Sequence, residues 1–86
     1  MKHAGDDVFD QLADLLGEIR KQERLKEKKR GVFYLGSAAF LHFHHDPEGL
    51  FADLRVGSCW ERFPVTNKRQ RKTFVSRLKA ELGDYR

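Results

Sequence analysis

Residues 38–56 constrain the fold more than any other stretch. Ala38–His45 and Leu50–Val56 both read as β-strands. Between them, Asp46-Pro-Glu-Gly49 carries the residues of a type I turn, with Asp first, Pro second and Gly last. Leu50, Ala52, Leu54 and Val56 alternate with Phe51, Asp53 and Arg55, the two-residue period of a strand with one buried face. Such a hairpin admits two registers. A four-residue loop sets His42 opposite Asp53, Phe43 opposite Ala52 and Leu41 opposite Leu54. A three-residue loop with a glycine bulge sets His42 against Leu54 and His44 against Ala52. A slip of one residue exchanges the two faces. The first register is preferred, because it keeps His42 and His44 out of the apolar layer and gives His42 a carboxylate neighbour.

The flanking segments supply cover for this hairpin. Val8, Phe9, Leu12, Leu15, Leu16 and Ile19 recur at helical spacing. Asp6 and Asp7 precede this stripe, where a carboxylate can accept hydrogen bonds from the first free backbone N–H groups. Beyond Ile19 only Leu25 is apolar. Residues 20–30 are therefore expected to be a charged, weakly anchored extension of the helix, stopped by Gly31. Val32–Leu35 reads as the first strand, and Gly57 to Pro64 as a loop whose Trp60 and Phe63 tuck back onto the core. Thr66 or Asn67 is expected to cap a second helix that buries Phe74, Val75, Leu78 and Leu82 and ends at Gly83. The order is α-β-β-β-α. It predicts one α+β domain over 1–86, a three-stranded antiparallel sheet with two helices packed on one face, and a disordered start at residues 1–5. The opposite sheet face is left open or serves a homodimer.

At 86 residues the chain buries only about 60% of its unfolded surface, so exposed faces and grooves are better working surfaces than a deep cavity. The net charge of +4 is unevenly spread. Residues 1–19 carry Asp6, Asp7, Asp10, Asp14 and Glu18 against Lys2, whereas residues 20–30 and 67–86 are strongly basic. Basic blocks attract polyanions and also keep a small domain soluble. Cys59 is the one cysteine, which excludes an internal disulfide and fits a reducing compartment. It is expected to be a small buried hydrophobe. With no apolar leader and no apolar run of the ~18–20 residues that a span needs, a cytoplasmic protein without a membrane partner is expected.

Three of the four histidines fall within residues 42–45. His42 and His44 share one face of their strand with Phe40, and His45 points the other way. Two imidazoles at i and i+2, with Asp53 across the hairpin, make a candidate divalent-metal site. The alternative is a set of partly exposed histidines paired with a carboxylate or with backbone. His3 near the terminus is not expected to contribute. Ser37, Ser58 and Ser76 lie in no nucleophile-elbow context, and no glycine-rich phosphate loop occurs. No catalytic residue is assigned, no cofactor is required beyond a possible metal, and the balance is against an enzyme.

Asn67-Lys-Arg-Gln-Arg-Lys72 places positive charge at a helix start, against the helix dipole. A docked anion would relieve that conflict. The nucleic-acid-binding candidates are thus Lys68, Arg69, Arg71 and Lys72, with Lys28, Lys29 and Arg30 contributing. With its α-β-β-β-α order the chain resembles the double-stranded-RNA-binding domain, which uses such a helix end to contact phosphates. The glycine-rich approach and Lys-Lys-x-Ala-Lys signature of that domain are replaced here by Phe63-Pro-Val-Thr-Asn-Lys. A second resemblance rests on Ala39-Phe-Leu-His-Phe-His-His-Asp-Pro-Glu-Gly-Leu-Phe-Ala-Asp-Leu-Arg55 and Trp60-Glu-Arg-Phe-Pro-Val65. These strings resemble a group of small uncharacterised bacterial proteins of unknown function, which implies a bacterial cytosolic origin and no particular activity. The leading expectation is a small non-enzymatic binding or interaction protein, monomeric or homodimeric, with a protein or nucleic-acid partner.

Overall fold

The computed structural model describes residues 2–3 and 5–83, the first two by their backbone alone. The elements are β1 (Lys2–His3), α1 (Asp6–Gln11), α2 (Ala13–Arg20), β2 (Leu25–Lys29), β3 (Val32–Leu35), β4 (Ala38–Asp46), β5 (Gly49–Val56), β6 (Cys59–Pro64) and α3 (Lys68–Gly83). Strands β2 to β6 form an antiparallel meander in chain order, and β1 pairs with β4. The architecture is α+β with a single antiparallel sheet. Among the described residues it has five main strands where three were expected, and three helices where two were expected.

The central hairpin adopts the preferred register. Leu41 pairs with Leu54, His42 with Asp53, Phe43 with Ala52, and Asp46 closes the turn against Gly49. Asp46 Oδ1 accepts the Glu48 backbone N–H at 3.0 Å, which stabilises the turn. On the other edge of β4, β3 pairs with Ala38, Ala39 and Leu41, and the register shifts between Phe33 and Tyr34, at the level of Phe40. That irregularity explains why Phe40 and Leu41 are neighbours and both buried. Phe40 therefore belongs to the core, rather than to the histidine face where strict alternation would place it. Beyond β3 the same edge of β4 takes β1, with Lys2 opposite His45 and His3 opposite His44. Of the start expected to be disordered, Lys2–His3 is this strand; residues 1 and 4 lie outside the described residues.

Residues 20–30 do not extend the helix. The helical stretch breaks once at Leu12 and ends at Arg20. With a single apolar residue, Leu25, a longer helix would bury almost nothing. As β2 the same residues bond along β3, and Arg20 grips Glu27 with Nε to Oε1 at 2.7 Å and Nη2 to Oε2 at 2.9 Å. Gly31 is a hairpin glycine at φ +79°, not a helix stop. Any Cβ there would fall onto the Phe9 ring. Asp6 and Asp7 lie in the first turn of α1 and make no capping bond; Gly5 stands at the N-cap. The expected loop at 57–64 is largely β6, with Cys59 exposed and not buried.

The start of α3 matches its expected cap. Asn67 Oδ1 accepts the Gln70 N–H at 2.9 Å, while Gln70 Oε1 accepts the Asn67 and Thr66 N–H groups at 3.2 and 2.9 Å. This reciprocal pairing satisfies N–H groups that the helix leaves open. Thr66 Oγ1 also accepts the Leu50 N–H at 3.0 Å, tying the helix start to β5.

All three helices cover one sheet face. Val8, Leu12, Leu16 and Ile19 from α1, α2 and the break between them meet Phe74, Leu78 and Leu82 of α3 over Phe33, Leu41, Phe43, Ala52 and Leu54. Burying each large side chain contributes about 1.5–3 kcal/mol. Phe63 of β6 joins from the sheet edge, its ring centroid 5.5 Å from that of Phe74. Among the described residues no helix lies over the other sheet face.

Candidate functional site: the open face of the sheet

The site follows from alternation on three adjacent strands. With Leu41 and Phe43 turned to the helices, His42 and His44 must face outward. On β5 the same logic turns Ala52 and Leu54 inward and Asp53 outward. The β5–β6 register then sets Arg62 opposite Asp53 and Trp60 opposite Arg55. One row across the sheet is His42, Asp53, Arg62; the next begins with Arg55 and Trp60.

Asp53 is the centre of this row and is only 6% exposed. Arg62 binds it with both prongs, Nε to Oδ1 at 2.8 Å and Nη2 to Oδ2 at 2.9 Å. His44 Nε2 approaches Oδ2 at 2.9 Å, and His42 Nδ1 lies 3.9 Å from the same oxygen. Burial alone would raise the carboxyl pKa. The hydrogen bonds and charge of Arg62, followed by the two imidazoles, outweigh burial and hold Asp53 below the usual carboxylate range. A buried carboxylate needs such compensation, and a bidentate guanidinium supplies it with fixed geometry.

Aromatic rings interleave with cations around this core. The His42 ring packs between His44, at 4.9 Å between centroids, and Trp60, at 4.6 Å. Arg55 lies over Trp60 at 5.4 Å and Arg62 over Phe51 at 6.0 Å. On the β2–β3 side, Lys28 Nζ sits 4.5 Å over the Tyr34 ring. Trp60 itself is 41% exposed. It does not tuck onto the core as expected, because the β5–β6 register assigns that side to Glu61 and Phe63.

His42, His44 and Asp53, the metal candidates from sequence, do come together: one ligand atom from each lies within 4.8 Å of the others. The seven basic candidates do not. Lys28, Lys29 and Arg30 line a groove with Tyr34 and His42, which Phe9 and Phe43 also border. Within that set Arg30 is engaged by Asp6 and Asp10 at 3.2 and 2.8 Å. Lys68, Arg71 and Lys72 line a different groove, with Asp14 and Glu18 of α2 on the helix side. Arg71 donates to the Val65 and Thr66 carbonyls, both at 2.9 Å, so it serves the helix start itself. Arg69 and its neighbours Lys68 and Lys72 are exposed.

Trp60, Arg62, Arg55, Phe51 and Tyr34 were not among the sequence candidates. The signal was present in Cys59–Pro64, where Trp60 and Arg62 alternate with Glu61 and Phe63, and where Arg62 complements Asp53 in charge. Comparison with protein-family models, with curated proteins and with solved structures finds no match to this chain. No helix among the described residues is long and apolar enough to cross a membrane.

Proposed function

We propose that the protein is a small binding module that takes single-stranded nucleic acid on the open face of its sheet. The observation that carries this reading is the exposed Trp60 set among Arg55, His42 and Arg62. Unpaired bases stack on rings, and phosphates pair with guanidinium and ammonium groups; a surface that interleaves the two suits a flexible strand and not a closed duplex. Phe51 and Tyr34 extend the platform to either side, and Lys28 and Lys29 carry its charge to the end of the β2–β3 hairpin. The start of α3, the first candidate from sequence, is secondary here: it lies on the helix side, with Arg71 already committed to backbone carbonyls. The α-β-β-β-α order behind the duplex-RNA resemblance is replaced by five main strands.

Trp60 is the chain's one tryptophan, so its fluorescence reports this face without ambiguity. Oligothymidylate or oligouridylate at low salt is expected to quench it, with affinity falling as salt rises because counterions are released. Trp60→Ala, read by a titration that does not use tryptophan fluorescence, should weaken binding by about 10-fold, since stacking one base contributes about 1–3 kcal/mol. A joint Lys68→Ala, Arg69→Ala and Lys72→Ala variant should bind nearly as well as the natural chain. No binding of either oligonucleotide at low salt would sink the proposal. Full loss in the α3 variant with normal binding by Trp60→Ala would move the interface back to the helix.

A further inference from the structure

The geometry points to a transition-metal site at His42, His44 and Asp53, in which Arg62 is the resident cation that the metal displaces. The inference stands apart from nucleic-acid binding and does not need it. Two imidazole nitrogens and one carboxylate oxygen already converge within 4.8 Å. A metal bound at about 2.0–2.2 Å to each donor would draw these atoms closer together than they now lie. The donor set is mixed nitrogen and oxygen, which suits Zn²⁺, Co²⁺, Ni²⁺ or Cu²⁺ and not the all-oxygen cages of Ca²⁺ or Mg²⁺. Three protein ligands leave a coordination position open towards solvent on the uncovered face.

The donors sit on inner strands, whereas the competitor reaches them from the edge of the sheet. His42 is wedged between the rings of His44 and Trp60, and both histidines ride on the central strand, paired on both edges. Asp53 is fixed by the directly opposed register of β4 and β5. Arg62 reaches Asp53 from the edge strand β6 on a long side chain that is 41% exposed. Arg62 is not part of the buried apolar core, so its departure from Asp53 would leave that packing in place. Arg62 and a dication cannot share one small carboxylate comfortably, because like charges would sit side by side. Metal affinity should therefore be set by how easily Arg62 leaves, and removing Arg62 should tighten binding.

Zinc chloride alone, titrated into the full chain near neutral pH, tests this. The His42 and His44 ring signals are read by NMR, and visible absorption with Co²⁺ gives a second readout of coordination number. Binding is expected at one ion per chain. Arg62→Gln should tighten it by about 10-fold or more, the gain expected when a competing charge of roughly 1.4 kcal/mol is removed. His42→Ala and His44→Ala should each weaken it by at least about 10-fold, in line with the loss of a metal ligand or its support. His3 and His45 lie at neighbouring register positions. Replacing both with alanine should leave affinity within about two-fold, a factor below half a kcal/mol. Amide spectra of each variant establish that it is folded. Ring signals unmoved in both the natural chain and Arg62→Gln would overturn the proposal, as would zinc binding that survives His42→Ala unchanged and vanishes with His3 and His45. A positive zinc titration without oligonucleotide binding leaves the metal site standing and removes only the nucleic-acid reading.

Discussion

At the scale of single residues, the fold depends on a few positions with no freedom. Gly31 has a positive φ and sits against Phe9, so Gly31→Ala meets both a backbone penalty and a clash. It is expected to cost about 2–4 kcal/mol, combining the left-handed and overpacking penalties. Gly36, also at positive φ but with open space around it, should cost only about 1–2 kcal/mol as alanine. Urea unfolding of the two variants checks the difference; equal losses would mean that the Phe9 contact is slack. Asp53 and Arg62 form a coupled pair. Asp53→Asn and Arg62→Gln should each destabilise by about 1–3 kcal/mol, and the double variant by clearly less than their sum. Additive losses in a double-mutant cycle would show that the pair contributes nothing as a pair. Part of this centre was legible in the sequence. Matching apolar faces across Asp46-Pro-Glu-Gly49 was enough to put His42 opposite Asp53. Arg62 was not legible, because its strand read as a loop, and with it went the charge that compensates Asp53.

At the scale of elements, legibility tracks how one-sided a segment is. The β4–β5 hairpin and α3 bury one face and leave the other polar, so period and turn chemistry agree. β2 and β6 are edge strands with little to bury. Leu-Lys-Glu-Lys-Lys has one apolar side chain in five, and a polar edge strand then looks like a solvated helix. Its pairing energy is mostly backbone, which sequence pattern does not report. Glu27 nevertheless makes β2 testable. The Arg20 hydrogen bond, aided by the Gly31 N–H and opposed by burial, holds Glu27 below the usual carboxylate range. A carboxyl that is more acidic when folded stabilises fully above its unfolded pKa, near 4.3, and loses that contribution as pH falls through its lower folded value. Glu27→Gln should thus be less stable than the natural chain at neutral pH, and the gap should narrow as pH falls below the unfolded pKa and close once it is under the lower folded value. A gap independent of pH would mean that Glu27 acts through packing and not through its charge.

At the scale of the whole molecule, one sheet face holds the core and the other carries the proposed binding surface, and mutations should separate with them. Phe74→Ala removes a fully buried ring between helix and sheet and should cost about 3–5 kcal/mol. Trp60→Ala on the open face should change stability by no more than about 1 kcal/mol while weakening ligand binding. Thermal unfolding and fluorescence-independent oligonucleotide titration, run on both variants, give the comparison; a Trp60→Ala chain as unstable as Phe74→Ala would make the tryptophan a core residue in effect. From β2 to β6 the order of strands in the sheet is their order in the chain, and this shapes how the polypeptide is made. A nascent chain can zip β2 to β6 hairpin by hairpin, each new strand meeting one already in place. Phe74, Leu78 and Leu82 follow only afterwards. Until they leave the ribosome, Phe33, Phe43 and Leu54 stay partly wet, and in that interval the half-made sheet is a target for chaperones and for its own copies.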